Sequence, residues 1–149
     1  ASNWITVGAS GPTSKDLAAP FSNYGKDVDV FSPGVEIYST LPGGNEYGNQ
    51  QGTSMASPVT AGIAALILSY YPELSAKQVK SVIEKTVTPV TALMVIKPGT
   101  EEEVKLSEIS KTGGVVNAYE AIKLAGTLKG DRYPAKALPK TSLKKTKKG

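Results

Sequence analysis

The sequence contains no histidine and no cysteine among its 149 residues. Without cysteine the chain can form neither a disulfide nor a thiolate metal site, and without histidine it loses the commonest ligand of transition metals. It also lacks the imidazole that most often takes the proton from a serine nucleophile. A serine nucleophile in this chain would therefore need its base from outside the sequence.

The excess of positive charge lies at the C-terminal end. The 17 Lys and Arg residues exceed the 13 Asp and Glu residues by four, but five lysines fall within the last ten positions: Lys140, Lys144, Lys145, Lys147 and Lys148. Because the remainder is close to neutral and shows no basic face, we expect no nucleic-acid partner. Residues 127–149, rich in lysine and proline, are predicted to form a disordered tail.

The rest of the chain has the composition of one soluble domain, with 40% hydrophobic and 20% charged residues. No apolar run reaches the roughly 18 residues needed to cross a bilayer, so we expect no membrane span. The chain opens directly on residues typical of a strand, Trp4–Ala9, as if it had been cut just before that strand.

Short strands are predicted in the first third of the chain. Val28–Phe31 alternates with period two and stops at the turn residues 32–34. Two further strands, Glu36–Leu41 and Glu46–Gln50, flank Pro42–Asn45, which supplies the glycines of a tight hairpin loop.

Three helices are predicted in the remainder. From Met55 to Tyr71 apolar residues occupy every face, which indicates a buried helix. Ser75 and Gln78 have the spacing of a capping box and start a second helix that ends near Thr86. Asn117 caps a third helix that stops at Gly126, with a predicted buried stripe of Tyr119, Ile122 and Ala125.

Residues 88–112 are harder to interpret. Two apolar stretches, 90–96 and 104–106, are consistent with a hairpin around Lys97–Thr100. The acidic triplet 101–103 is predicted to be a solvated turn, since such charge runs are rarely metal sites.

Ser54 lies at the predicted start of the first helix, in Gly52-Thr53-Ser54-Met55-Ala56-Ser57-Pro58. The free N–H groups and the positive dipole end of a helix favour the negative charge that develops when a carbonyl is attacked. Gly52 leaves room for a substrate backbone, and Thr53 adds a hydroxyl beside the oxyanion position. On these few residues alone, the favoured interpretation is that Thr53 and Ser54 are ordinary N-cap residues.

The full heptapeptide closely resembles the serine motif of the subtilisin-like serine peptidases (peptidase S8), and the resemblance is colinear over about residues 3–125. The matching segments occur in the family's order: 4–9, 21–25, 28–34, 39–43, 57–68 and 113–118. This resemblance implies an α/β fold, the C-terminal portion of a three-layer architecture with parallel strands, a β-hairpin and a buried central helix, incomplete as it stands. Residues 1–126 would be the C-terminal half of the catalytic domain, with about 88–112 an inserted hairpin-like segment.

The resemblance also implies roles for the motif. Ser54 would be the acyl-forming nucleophile of an endopeptidase that acts on polypeptides, its N–H would contribute to the oxyanion hole, and Thr53 would support that hole. The family's catalytic Asp, His and oxyanion Asn lie upstream of the matched region. The chain alone is therefore expected to be inactive and to need the N-terminal half of the domain as a partner, in a secreted, periplasmic or cell-surface protein.

The chain departs from the family at two points: the segment between Thr88 and Lys111, which most relatives lack, and the residue at position 59. Val59 stands where the family usually has a histidine. In the family that histidine is a packing residue and not a catalytic one. Asp27 and Asp29 align with a weak cation site of some members, but carboxylates near a strand start are more often solvated. We therefore expect no metal or cofactor in this chain and leave calcium open only for a longer protein.

Three alternatives remain open at this level. The chain could be a non-catalytic homologue or processed piece that acts in interaction. It could belong to the sedolisin-like peptidases, which use a glutamate base, although Met55–Pro58 favours the subtilisin branch. A small hydrolase with Lys77 or Lys85 as its base has little support, because nothing in the sequence aims either lysine at Ser54.

Overall fold

A computed structural model describes residues 3–90 and 92–132. The lysine cluster and most of the predicted tail, from residue 133 onward, lie outside the described residues. The strands are β1 (Val7–Ser10), β2 (Val30–Pro33), β3 (Ile37–Leu41), β4 (Glu46–Gln50), β5 (Thr88–Pro89), β6 (Met94–Ile96), β7 (Glu103–Lys105) and β8 (Gly114–Val115). The helices are α1 (Thr53–Tyr70), α2 (Ala76–Lys85) and α3 (Ala118–Ala125), with a short 3₁₀ turn at Leu106–Glu108.

Four strands form the central sheet, in the order β1-β2-β8-β5. β1, β2 and β8 run parallel, with Val7 opposite Val30, and β5 pairs antiparallel with β8. This confirms the predicted α/β class. The first strand begins three residues later than predicted. The second strand extends through Pro33, because the Gly34 N–H donates to Ser10 O (2.9 Å) and keeps β1 and β2 paired to that point.

The hairpin before the serine motif is confirmed. β3 and β4 pair antiparallel, with Ile37 opposite Gln50. Gly43 and Gly44 in the loop have φ angles of 119° and 111°, a region that side-chain-bearing residues rarely adopt. These two glycines therefore permit the tight return that aims the chain toward Ser54.

Two core clusters cover opposite faces of the sheet. Val30 and Phe31, adjacent on β2, point to opposite faces, as strand geometry requires. Val30 joins the helices in one cluster: Val30, Ile63, Ile67, Leu74, Val79, Val82, Ile83, Ala121 and Ala125. Phe31 joins loops and the second hairpin in the other: Ala18, Val28, Phe31, Val95, Val104, Leu106 and Ile109. The sheet is thus the middle of three layers.

The predicted helix caps are confirmed. Ser75 Oγ accepts from Gln78 N–H (3.3 Å) while Gln78 Oε1 accepts from Ser75 N–H (3.0 Å), which is the capping box. Asn117 Oδ1 accepts from Glu120 N–H (3.0 Å) at the start of α3. The predicted stripe of α3 is confirmed at Ala125 but wrong at Tyr119, which is 70% exposed, because Ala121 faces the core instead.

Burial of α1 is limited to one stripe, formed by Ala56, Thr60, Ile63 and Ile67. The expectation of burial on every face is therefore not met within the described residues, and Leu66 is 41% exposed. Nothing in the part of the chain that the structure describes covers the other side of this helix.

By length and composition alone, α1 could cross a membrane. The helix qualifies because its Ser, Thr and Gly residues are uncharged, although they interrupt its apolar runs; the absence of a membrane span stays a prediction. The finding is weak evidence for a span, since the core helix of a soluble protein passes the same test, and α1 packs on β1 and β2.

The predicted hairpin within 88–112 is present. β6 and β7 pair antiparallel and bury Val95 and Val104, while the acidic triplet 101–103 is exposed, as predicted. That this hairpin is an insertion relative to the family stays a prediction.

Residues 127–132 fold back on the start of α2. Gln78 Nε2 donates to Lys129 O (2.8 Å), and Arg132 N–H donates to Glu73 O (3.0 Å). The division between a domain at 1–126 and a tail at 127–149 stays a prediction.

Candidate active site

A ladder of backbone hydrogen bonds fixes the start of α1 to the sheet. Gly34 N–H donates to Ser10 O (2.9 Å), and Gly52 N–H donates to Gly34 O (2.8 Å). A Cβ on Gly34 would lie 2.7 Å from Ala9 Cβ and 2.8 Å from Gly52 O. Only glycine fits this contact without displacement, so the segment that precedes Ser54 is held by main-chain atoms close to the ends of β1 and β2.

Gly52 is the N-cap of α1 and has a φ of 148°. The first backbone bond of the helix runs from Met55 N–H to Gly52 O (3.0 Å), so the amides of Thr53 and Ser54 precede the helical ladder. These amides and the helix dipole together make a site that favours negative charge.

Small side chains let α1 approach the sheet closely at this end. Ala56 is fully buried and clusters with Ala9 and Ala19. With Ala56 turned inward, Thr53 is half-buried and Ser54 is exposed. The structure therefore brings the two residues predicted for the site together at the first turn of α1.

Ser54 borders two open clefts. A cleft of about 650 Å³, called here the β1 cleft, is lined by Trp4, Ile5, Thr6, Val7, Asn23, Thr53, Ser54, Ser57 and Pro58. A second cleft of about 380 Å³, called here the hairpin cleft, is lined by Ile37, Tyr38, Ser39, Thr40, Gln50, Ser54, Met55, Pro58 and Val59. An extended chain that passes Ser54 would find a wall on each side.

Neither cleft is lined by an acidic or basic side chain from the described ranges 3–90 and 92–132. Lys77 and Lys85, weighed above as bases, belong to α2 and line neither cleft. The lysine-base alternative therefore gains no geometric support.

Asp29, one of the two carboxylates considered above for a cation site, lies immediately before β2 and is only 6% exposed. Its Oδ2 accepts from Lys80 Nζ (2.6 Å) and Thr6 N–H (2.9 Å), and its Oδ1 accepts from Lys111 Nζ (3.2 Å). Glu84 bonds the same two ammonium groups, at 2.9 Å from Lys80 and 2.8 Å from Lys111.

These contacts explain the acidity of Asp29. Burial is the largest single influence and opposes ionisation, but hydrogen bonds from Lys80, Thr6 N–H and Lys111, within the network shared with Glu84, outweigh it and lower the pKa from 3.8 to about 2. The pKa of Lys80 is raised despite its burial, because Asp29 and Glu84 favour its charged form.

A metal ion does not fit at Asp29, because the Lys80 ammonium already occupies the position against its carboxylate. Within the described residues, no group of three His, Cys, Asp or Glu side chains gathers as a metal site elsewhere. Calcium in a longer protein stays a prediction.

The sequence reasoning missed the part that Lys80 and Lys111 play. The i,i+4 spacing of Lys80 and Glu84 signals an ion pair on α2. Nothing local signals Asp29, which lies 51 residues before Lys80.

Comparisons with known proteins place this site in context. Residues 1–119 match the model of the subtilase family, Peptidase_S8. Subtilisin DY from Bacillus licheniformis is 51% identical over 84 residues, which cover 56% of this chain and 30% of that protein. Subtilisin NAT from Bacillus subtilis subsp. natto is 48% identical over 83 residues, covering 56% of this chain and 22% of that protein.

A longer match covers more of the chain. The cell wall-associated protease of Bacillus subtilis (strain 168) is 38% identical over 116 residues, or 74% of this chain and 12% of that protein. The chain thus spans less than a third of the length of these three relatives.

Proposed function

Because this chain belongs to the subtilase family, we propose that it carries the nucleophile of a serine endopeptidase, Ser54, which hydrolyses polypeptides through an acyl-enzyme. The observation that carries the proposal is the placement of Ser54, exposed in the first turn of α1 between the β1 cleft and the hairpin cleft. A substrate in both clefts would pass its backbone over the serine hydroxyl.

In the proposed reaction, Ser54 Oγ bonds to the scissile carbonyl carbon and gives its proton to a base. The electron pair of the C=O bond moves to the oxygen, and this oxyanion is stabilised by the Ser54 N–H at the positive end of α1, with Thr53 beside it. Collapse breaks the C–N bond and releases the amine with the proton returned by the base. Water then gives a proton to the base as its oxygen bonds to the acyl carbon, and the bond from that carbon to Ser54 Oγ breaks, releasing the carboxylic acid product and returning the proton to Ser54.

The base, its orienting acid and the oxyanion amide are proposed to come from an N-terminal half of the catalytic domain, outside this sequence. Three observations support this. The clefts are lined by no charged side chain of the described residues, and the same residues leave one side of α1 uncovered, with Leu66 exposed. In addition, β1 is an edge of the four-stranded sheet, where a further parallel strand could pair.

The isolated chain is accordingly proposed to be inactive. In subtilisin, removing the histidine alone lowers kcat by about 2 × 10⁶-fold, as much as removing the whole triad. One of the relatives is a cell wall-associated protease, which supports the proposal that the complete protein acts outside the cell.

Labelling with a fluorophosphonate probe tests the nucleophile, both on this chain alone and on the chain joined to its upstream sequence. We expect the joined protein to be labelled, the isolated chain to remain unlabelled, and Ser54→Ala to abolish labelling. Ser57→Ala is the matched control, because Ser57 is also exposed and lines the same cleft.

Two results would contradict the proposal. Labelling that survives Ser54→Ala would assign the nucleophile to another residue. A folded joined protein that resists the probe would favour the non-catalytic alternative.

A further inference from the structure

The Lys80 ammonium is enclosed by three oxygen atoms. It donates to the backbone carbonyl of Trp4 and to Asp29 Oδ2 (2.6 Å), and it forms an ion pair with Glu84 Oε1 at 2.9 Å. These three oxygen atoms match the number of donors on an ammonium, and the side chain is only 12% exposed. A carbonyl and two carboxylates are the oxygen ligands that a bound metal cation would otherwise take.

This ammonium contacts residues 4–6, called here the wall of the β1 cleft. Trp4, Ile5 and Thr6 precede β1 and line the cleft that Ser54 borders. Lys80 holds the carbonyl of Trp4, and its partner Asp29 holds the amide of Thr6 (2.9 Å). The wall is therefore tied on both sides of Ile5 to one buried ion pair.

Lys111 provides an internal comparison. It bonds both carboxylates of the cluster, at 3.2 Å from Asp29 and 2.8 Å from Glu84. Its side chain is half exposed, and its hydrogen bonds go to those carboxylates, not to the wall. Both lysines thus place a positive charge in the same cluster, but only Lys80 donates a hydrogen bond to the wall.

We propose that Lys80 is a positioning residue whose ammonium acts as a built-in cation, fixing residues 4–6 of the β1 cleft beside Ser54 in place of a bound metal ion. The raised pKa of Lys80 agrees with an ammonium that stays charged in this position. The link to substrate rests on the proposed function, since that function makes residues 4–6 a wall for the bound peptide. The anchoring of residues 4–6 by Lys80 does not depend on the proposed function.

The test compares Lys80→Met with Lys111→Met in the full chain by amide hydrogen exchange and NMR. Each variant removes one ammonium and keeps an unbranched side chain. We expect Lys80→Met to accelerate exchange at Thr6 about tenfold relative to the buried amide of Ile67, the factor that corresponds to one charge-assisted hydrogen bond. Lys111→Met is expected to change that ratio less than about threefold.

Cation addition supplies the second readout. Calcium chloride, and separately potassium chloride, is added to each variant, with choline chloride at equal ionic strength as control. We expect either metal cation to restore protection at Thr6 in Lys80→Met by occupying the vacated oxygen atoms, and to leave the unsubstituted chain unchanged. Lys80→Arg, which retains a cation, is expected to keep Thr6 within about threefold of the unsubstituted chain.

The outcomes decide the proposal without any assay of activity. Equal effects of Lys80→Met and Lys111→Met would overturn it, as would a response to calcium or potassium in the unsubstituted chain. Exchange at Thr6 that rises only together with exchange at Ile67 would also overturn it, because Lys80 would then stabilise the fold as a whole. A failure of Ser54 to react with the probe bears on the proposed function and leaves these measurements untouched.

Discussion

Replacing Asp29 with asparagine removes the charge at the centre of the buried cluster while keeping an acceptor for the Thr6 amide. The pKa of Asp29 falls from 3.8 to about 2 on folding. Just under two pKa units, at about 1.4 kcal/mol each, correspond to roughly 2 kcal/mol of folding free energy. Asp29→Asn should therefore lower the free energy of unfolding at pH 7 by about 2 kcal/mol, or the melting temperature by about 8 °C.

The pH dependence gives this prediction its sign. The folded-state pKa is depressed, so the stabilisation by Asp29 is fully present above 3.8 and is lost as pH falls through about 2. Lys80 and Lys111 have raised pKa values, so their contribution persists below 10.5 and is lost only as pH rises through their folded-state values. The other charged groups at this site are Glu84, Lys26 and Asp27.

Urea unfolding of the chain and of Asp29→Asn, followed by circular dichroism between pH 7 and pH 2, measures the difference. The gap between the two proteins should be largest near neutral pH and should close between pH 4 and pH 2. Asp16→Asn is the control, because Asp16 is exposed and bonds the neighbouring Thr13 hydroxyl at 2.8 Å. A gap below about 0.5 kcal/mol at pH 7, or one that stays constant down to pH 2, would refute the reasoning.

Three further substitutions test the local arguments. Ser32 Oγ is the buried side-chain polar atom that lacks a hydrogen-bond partner within residues 3–90 and 92–132, so Ser32→Ala should raise the free energy of urea unfolding by about 1 kcal/mol; a loss of stability would show that the hydroxyl is satisfied. Gly34→Ala should lower the free energy of urea unfolding by about 1–3 kcal/mol, because the new methyl group would clash with Ala9 and Gly52. Unchanged amide chemical shifts at Thr53 and Ser54 would count against that contact. Ser75→Ala should lower the free energy of urea unfolding by about 1 kcal/mol, because α2 loses its capping box. Ser69→Ala, inside α1, is the control and is expected to lower it less.

Local rules were sufficient for much of the fold. The glycines of the β3–β4 loop, the capping box at Ser75 and the Asn117 cap depend on neighbours a few residues away, and the structure has each of them as predicted. The prediction at Tyr119 is wrong because its position on α3 satisfies the helical period almost as well as Ala121, and packing against α1 and α2 decides between them. The Asp29–Lys80 pair joins residues far apart in the chain, so no window of the sequence contains it.

The position of Ser54 and the chemistry proposed for it depend on different parts of the molecule. The ladder from Ser10 through Gly34 to Gly52 and the contact of Ala56 with Ala9 use only backbone atoms and small side chains of this chain. No base is required for either, so the serine is held in place whether or not a base is present. Under the proposed function, a complementary half-domain would therefore meet a preorganised nucleophile, and its binding would need to cover the exposed side of α1 at Leu66 and the edge of β1 rather than to reshape the site.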